Sequence, residues 1–485
     1  MKPLPQFPTL LTAAVALVLA GCAVGPDFKR PDPPRAEQYI AQNAAAAADV
    51  SPVDRQELVL GESPATQWWH FFQSDALDRI VERALAGNRR LTAEHWSLAQ
   101  SQELVNAKAG GRWPQVDATA GVGRQKYGSQ FLGPLAKPPP FTYFAIGATV
   151  SYTLDFTGTL TRSIEQQQAL SEYQQHQVEA AQLSVTGNAV NQALEVASLR
   201  AQIGTVEALL DRDRENLKLV QVAFEAGSVS RLDVVSAQSQ LASDTTLLPP
   251  LRQQLAEARH ALALTVGTAP ADPSLPELDL AQLTLPMQLP VSLPSELARR
   301  RPDILAAEAQ LHAATAAVGV ATSNLYPRIT LTGTTGQQSI ATGDLFDSKS
   351  NAWSIVSGLV APIFDGGTLR AEKRAAVDAM HSNAANYEHT VLAAFSQVAD
   401  SLEALGNGAE QLRAQANAEA AARDTVTMTR QSYNEGNVGV LQVLDAERRY
   451  QQARLGYVRA QAQRYMDTAQ LMLALGGAGP AAPGT

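Results

Sequence analysis

The chain of 485 residues contains a single cysteine, Cys22, so no intrachain disulfide and no multi-cysteine metal cluster can form. Positive charge is in deficit. The 38 Lys and Arg face 47 Asp and Glu, a net −9 that argues against a nucleic-acid binder. Aromatics are only 6% and charged residues 18%, while hydrophobic residues reach 45%, enough for an ordinary core and too many for wholesale disorder. Beyond the first twenty or so residues no run reads as long and apolar enough for a membrane-spanning helix, so any crossing would have to use strands. There is no P-loop, no nucleophile elbow and no CxxC. The histidines are scattered at His70, His95, His176, His260, His312, His381 and His389; the last two, eight residues apart, are too distant along a helix for a good metal pair. No catalytic residue, metal site or cofactor is expected. Proline is missing between Thr159 and Leu248 and between Ile363 and Gly479, which leaves room for very long helices.

What is present begins with a leader. Residues 1–21 carry one early charge, Lys2, then an apolar run from Leu10 to Leu19 that is too short for a bilayer and ends in small residues, as secretory leaders do. Leu19-Ala20-Gly21-Cys22 resembles a bacterial lipobox. That resemblance implies cleavage before Cys22 and acylation of its thiol, and Ala23 in place of an Asp favours the outer membrane of a Gram-negative cell. Each buried CH₂ contributes about 0.8 kcal/mol, so several acyl chains anchor firmly. The alternative is an ordinary leader in which Cys22 is one more small residue.

The chain is written twice. Trp113-Pro114-Gln115-Val116 matches Tyr326-Pro327-Arg328-Ile329 at a shift of 213, and Phe156-Thr157-Gly158 matches Phe364-Asp365-Gly366 at 208. Phe224-Glu225-Ala226-Gly227-Ser228-Val229 matches Tyr433-Asn434-Glu435-Gly436-Asn437-Val438 at 209, as Leu264-Thr265-Val266-Gly267 matches Leu473-Ala474-Leu475-Gly476. A unit this long is a duplicated domain, not a solenoid repeat. The expected organisation is a leader 1–21, an N-terminal segment 22–75, a first repeat 76–268, a Pro-rich connector 269–294, a second repeat 295–476 and a tail 477–485. Each repeat opens with a helical stretch, 76–109 or 295–322. Two strands follow, 114–124 and 141–156 in the first repeat, 327–336 and 352–363 in the second. Two long helices close each repeat, 159–226 and 231–266, then 366–435 and 440–475.

The strands alternate. Phe144, Ile146, Ala148, Val150, Tyr152 and Leu154 share one parity, and Thr149, Ser151, Thr153 and Asp155 the other. Their lengths are near the roughly 9–11 residues of a tilted transmembrane strand, and Trp113, Phe141, Tyr143, Tyr326, Trp353 and Phe364 near the ends could form interface girdles. A soluble sandwich with one wet face would alternate in the same way. If the strands do span, four cannot close a barrel, since about eight is the practical minimum, and several copies must share one. The proline-free stretch 159–226 would reach about 100 Å as a helix. Val391, Val398, Leu405 and Leu412, like Leu241, Leu248, Leu255 and Leu262, recur every seven residues and offer seams for neighbouring helices.

Several motifs together resemble one family, the TolC-like outer-membrane factors of Gram-negative efflux systems, in their lipoprotein NodT branch. They include Cys22-Ala23-Val24-Gly25-Pro26-Asp27-Phe28-Lys29-Arg30-Pro31 and Trp68-Trp69-His70-Phe71-Phe72. Most specific is Arg300-Arg301-Pro302-Asp303-Ile304, followed by Tyr326-Pro327-Arg328-Ile329, Pro362-Ile363-Phe364-Asp365-Gly366-Gly367 and Val443-Leu444-Asp445-Ala446. The resemblance implies a mainly α fold with a trimeric twelve-stranded transmembrane β-barrel, four strands per protomer, continued by a long periplasmic α-helical barrel. It implies a homotrimer anchored to outer-membrane lipid through acylated Cys22, working with a periplasmic adaptor and an inner-membrane transporter of the proton-driven RND type.

The resemblance also places a periplasmic gate at the Gly-marked breaks, on Leu441, Asp445, Arg448, Tyr433 and Asp233. Leu441, Asp445 and Arg448 fall on one helix face. Three Leu441 would make an apolar constriction and three Asp445 an anionic ring, with Arg448 pairing to an acid on a neighbouring helix. Gln442 and Val438 stand where TolC carries an acidic and a basic residue. Gly227 and Gly436 suit positive-φ turns, and Ser228, Val229, Asn437 and Val438 beside them are the expected adaptor-docking positions. Two other classes compete. A coiled-coil lipoprotein spacer accounts for the heptads but not for the strands, and a periplasmic enzyme lacks convergent polar groups in the loops 125–140 and 337–351.

Overall fold

A computed structural model describes residues 23–32, 38–40, 56–127, 139–272 and 274–477. The leader, Cys22 and the tail after Gly477 lie outside the described residues, as does most of the segment 33–55. The chain divides into two compact units. The first, here the strand unit, comprises Met1–Arg30, Leu98–Tyr173 and Ala307–Tyr387; the second, the helix unit, comprises Pro31–Ser97, Gln174–Ala306 and Glu388–Thr485.

The strand unit carries an antiparallel sheet of β2 (Gln115–Gln125), β3 (Phe141–Leu154), β5 (Arg328–Ser339) and β6 (Asn351–Val360) in the order β2-β3-β5-β6. Its register aligns the alternating patterns across all four strands. Val116 faces Val150, Ala120 faces Ile146, Leu331 faces Tyr152, Ile329 faces Leu154, and Leu359 faces Ile329. One surface is therefore largely apolar, with Thr335, Gln337, Asn351 and Ser357 among its residues, and its large side chains Val116, Val150, Trp353 and Ile355 are exposed, the last by 80%. The other surface presents Asp117, Thr119, Thr149, Ser151, Thr332 and Thr334. An exposed apolar face of this kind suits the lipid-facing side of a barrel.

β3 ends at Leu154, two residues short of expectation, because Asp155 leaves the ladder to cap the next helix. Its carboxylate accepts the Leu160 and Thr161 N–H groups, each at 2.8 Å, while Gly158 turns at φ +77°. The second repeat does the same: Asp365 accepts from Gly367 N and Leu369 N at 2.8 and 2.9 Å, bonds that hold its carboxyl below the usual range. β6 stops at Val360 just before Pro362.

The segment after Cys22 is strapped onto the strand unit. Val24 N–H donates to the Thr157 carbonyl, Asp27 meets Arg162 at 2.6 Å, Phe28 stacks on His312 at 4.4 Å between centroids, and Arg30 pairs with Glu308 at 2.9 Å. Arg162 is only 5% exposed, and Asp27 and Glu165 share its guanidinium.

The helix unit corrects three expectations. The helix expected over 231–266 is two, α4 (Arg231–Thr245) and α5 (Leu248–Val266). Pro249 and Pro250 lack N–H groups and their rings clash with the carbonyls four residues before, so they open a helix and cannot continue one. The stretch 76–109 breaks into α1 (Asp75–Gly87) and α2 (Arg89–Ala109) at Asn88, whose side chain bonds Leu91 N and the Thr265 carbonyl. Gly87 and Gly267 are pressed together there, each lacking room for a Cβ. The stretch 295–322 breaks at Pro302 into α6 (Pro294–Arg300) and α7 (Pro302–Ser323).

Arg301, buried at that break, bonds the last-turn carbonyl of Ala474, the Asp303 carboxylate and Gln397, so the Arg-Arg-Pro-Asp motif ties three elements together. α7 is also a correction of another kind. By length and composition it is apolar enough to cross a membrane, which the sequence reading had excluded for the whole chain after its leader. Half of it is buried, with Ile304, Ala309 and Leu311 in the interior, the pattern of a core helix.

The long helices α3 (Thr159–Glu225) and α8 (Thr368–Asn434) run 67 residues each, and α9 (Val440–Ala474) closes the described chain. One core joins Leu199, Ile203, Val206, Leu210, Leu248 and Leu251, with Leu241 and Leu255 against it. The connector contains a strand the sequence did not reveal: β4 (Gln288–Val291) pairs in parallel with β1 (Glu57–Leu60).

Candidate functional site

The two Gly-marked breaks are helix ends of the same design. At the end of α3, Gly227 has φ +74°, its N–H donates to the Phe224 carbonyl, and Ser228 N–H reaches back to Ala223, each at 2.9 Å. At the end of α8, Gly436 has φ +78°, with Gly436 N–H on the Tyr433 carbonyl and Asn437 N–H on Ser432 at 2.9 and 2.8 Å. Both are Schellman caps, which need a residue that tolerates positive φ.

The next helices start differently. Ser230 and Asp233 form a full capping box: Asp233 accepts from Ser230 N at 2.8 Å, and Ser230 Oγ accepts from Asp233 N at 3.3 Å. The Ser230 hydroxyl and N–H hold the Asp233 carboxyl below its usual range. Asp233, expected at the gate, is thus engaged as a helix cap. In the second repeat Gly439 caps without a side chain, and Gln442 occupies the place of Asp233. The two turns meet at one groove of about 510 Å³, lined by Ser228, Val229, Asp233, Leu441 and Gln442 among others. Beneath it Val220, Val234, Ala237 and Leu444 make a small core, packed with Val229 and Val440.

Leu441, Asp445 and Arg448 share one face of α9, all partly exposed. Arg448 does not reach a neighbouring helix of its own chain. It donates to Asp445 at 2.6 Å, and Arg449 meets the same carboxylate at 2.9 Å. The spacings of three and four residues make these the nearest partners on the helix. The Arg448 hydrogen bond first, then the two guanidinium charges, lower the Asp445 carboxyl below its usual range. Within one chain the Asp445 carboxylate is flanked by two cations. Tyr433 stands at the end of α8, partly exposed, its carbonyl taken by the Gly436 turn. His381 and His389 are exposed on α8.

Sequence reasoning missed a buried carboxyl cluster in the same unit: Asp213 on α3, Asp244 on α4 and Glu447 on α9. Its signal was present, since Asp213 lies seven residues from both Val206 and Val220 in a buried seam.

Residues 80–268 and 293–477 match the family described as outer membrane efflux protein, one match to each repeat. The chain belongs to the outer membrane efflux protein family. It is 29% identical over 479 residues to the solvent efflux pump outer membrane protein SrpC of Pseudomonas putida, covering 98% of each chain. It is 28% identical over 470 residues to the probable outer membrane lipoprotein SilC of Salmonella typhimurium, covering 96% of this chain and 98% of that one. Among solved structures, the outer-membrane channel OprN superposes with a TM-score of 0.83 at 28% identity, over 94% of this chain and 99% of that one. The open state of the MtrE outer membrane channel of Neisseria gonorrhoeae gives 0.79 at 26%, over 94% and 98%. This outer membrane efflux protein therefore has the TolC-like fold, resides in the outer membrane and serves as the outer-membrane component of an efflux pump.

Proposed function

We propose that three copies of this chain close a twelve-stranded barrel that continues as a helical periplasmic tube, forming the passive exit duct of a tripartite pump. The observation that carries this reading is the sheet: an exposed, largely apolar face and two strands, β2 and β6, each with one edge unpaired among the described residues. Open edges are not tolerated in lipid, and four strands are too few to close. A threefold set gives twelve.

In this reading the duct performs no catalysis. An inner-membrane RND-type transporter supplies the energy and a periplasmic adaptor joins it to the duct, docking at Gly227, Ser228, Val229, Gly436, Asn437 and Val438. Leu441, Asp445, Arg448, Tyr433 and Asp233 form the gate region, Leu441 as the apolar constriction that closes by dewetting. Cys22, acylated, anchors the chain. The described residues of the segment 22–75 and of the connector 269–294 form a belt around the tube, while the tail after Gly477, expected in it, lies outside the described residues. Relatives carry names for the efflux of solvents, toluene and antibiotics and for pyoverdine export, which supports small organic compounds as cargo.

A photo-crosslinking amino acid at Ser228 and Asn437 tests the docking surface. Adducts with a co-expressed adaptor are expected at both positions, and no adduct at either would remove the turns from the interface. Radiolabelled palmitate should enter the wild-type protein and not the Cys22→Ala protein.

A further inference from the structure

The helix unit holds a polar cluster that the duct reading leaves unused. Asp213, Asp244 and Glu447 project from three helices and are 5%, 7% and 3% exposed. Few groups face them. From α8, Arg430 meets Glu447 at 2.5 Å. From α4, Gln240 donates to Asp244 Oδ2 at 2.6 Å. Asp213 lies within hydrogen-bonding reach of Asp244. Its Oδ2 is buried without any partner that donates to it, as is Asn216 Nδ2 one turn along without an acceptor. Among the described residues no group of three His, Cys, Asp or Glu is placed to hold a metal ion.

Three ionised carboxylates against one guanidinium would leave two uncompensated charges away from water. Asp244, in the last turn of α4, also sits at the negative end of its helix. Burying unpaired charge is costly, and one proton placed between two carboxyls removes a charge and supplies the missing hydrogen bond. Burial, and then the neighbouring Asp244, push the Asp213 carboxyl up to about 7.

We propose that Asp213 and Asp244 share one proton and so form a latch holding α3 against α4, released when that proton leaves. With the proton, Asp213 O–H donates to the Asp244 carboxylate. Without it, two carboxylates face each other and repel. Asp213 precedes the Gly227 turn by fourteen residues, about 20 Å of helix, so separation there works on the tip. The sign follows from linkage. The folded value lies above the unfolded one, so the stabilisation is full below about pH 4 and is lost as pH rises through about 7. The latch is shut in acid and loosens past neutral. Its effect on the pore rests on the tip being the gate.

Two readouts on the full-length protein in detergent or planar bilayers test this, across about pH 5.5 to 8.5. Hydrogen–deuterium exchange, corrected for the intrinsic base-catalysed rate, should show protection in α3 and α4 near the cluster falling several-fold in the wild type. In Asp213→Asn, whose amide can donate to Asp244 but cannot titrate, protection should stay high and flat. Asp244→Asn is the second variant should the first fold poorly. An infrared band of a protonated carboxylic acid should fade over the same range in the wild type and be missing from Asp213→Asn. Equal pH dependence in wild type and both variants would overturn the latch, as would a flat wild type. If exchange follows the latch but single-channel conductance does not rise with pH, the latch stands and the assignment of the tip as gate falls.

Discussion

Gly25 lies directly on Gly319: a Cβ added to Gly25 would come 2.5 Å from the Gly319 Cα, and Gly25 itself holds φ +100°. The two backbones meet there, and a Cβ added to Gly319 would instead run into the Arg162 side chain at 2.8 Å. The strap behind the cysteine is thereby laid flat on α7, with Asp27, Phe28 and Arg30 reaching their partners from it.

Gly25→Val should therefore displace the strap through both steric overlap and an unfavourable φ, a loss of about 2–4 kcal/mol. The expected result is a lower melting temperature in detergent and faster proteolysis after Arg30. Phe28→Ala, which removes only the stack on His312, should produce a smaller change in the same direction.

The two tip glycines make a second prediction. Gly227→Ala and Gly436→Ala each force an L-residue into the left-handed region, at about 1–2 kcal/mol. Hydrogen exchange should rise in the last turns of α3 and α8, and Gly→Asn at either position should do less damage. Ser230→Ala should fray α4 alone, since Gly439 offers no side-chain cap to lose in the other repeat.

Asp445 gives a third. Asp445→Ala unmasks Arg448 and Arg449, so block of single-channel current by multivalent cations should weaken and conductance should rise. Arg448→Ala leaves the carboxylate less compensated and should strengthen the block. Unchanged conductance and unchanged block in Asp445→Ala would take Asp445 out of the gate.

Much of this architecture was legible because it follows from periodicity. Alternation from Phe144 to Leu154 yields β3 directly, and the repeat of Gly227 at Gly436 marks both helix ends. What escaped depends on contacts remote in sequence. The parallel pairing of β1 with β4 joins residues such as Glu57 and Gln288, and nothing local signals it. The break at Asn88 depends on Gly87 meeting Gly267. Pro249-Pro250, by contrast, was a readable stop inside a stretch expected to be one helix. For Arg448 the i−3 partner Asp445 was also readable, where an acidic residue on a neighbouring helix was expected. The place of Asp213 in the seam of Val206 and Val220 was readable, but its partners Asp244 and Glu447, remote in sequence, were not.

The twelve-stranded barrel is the central claim, and native mass spectrometry of the purified full-length protein released from detergent micelles tests it most directly. The account predicts a mass of three chains, each exposing β2 to the next chain's β6. A spectrum dominated by single chains or pairs would contradict it.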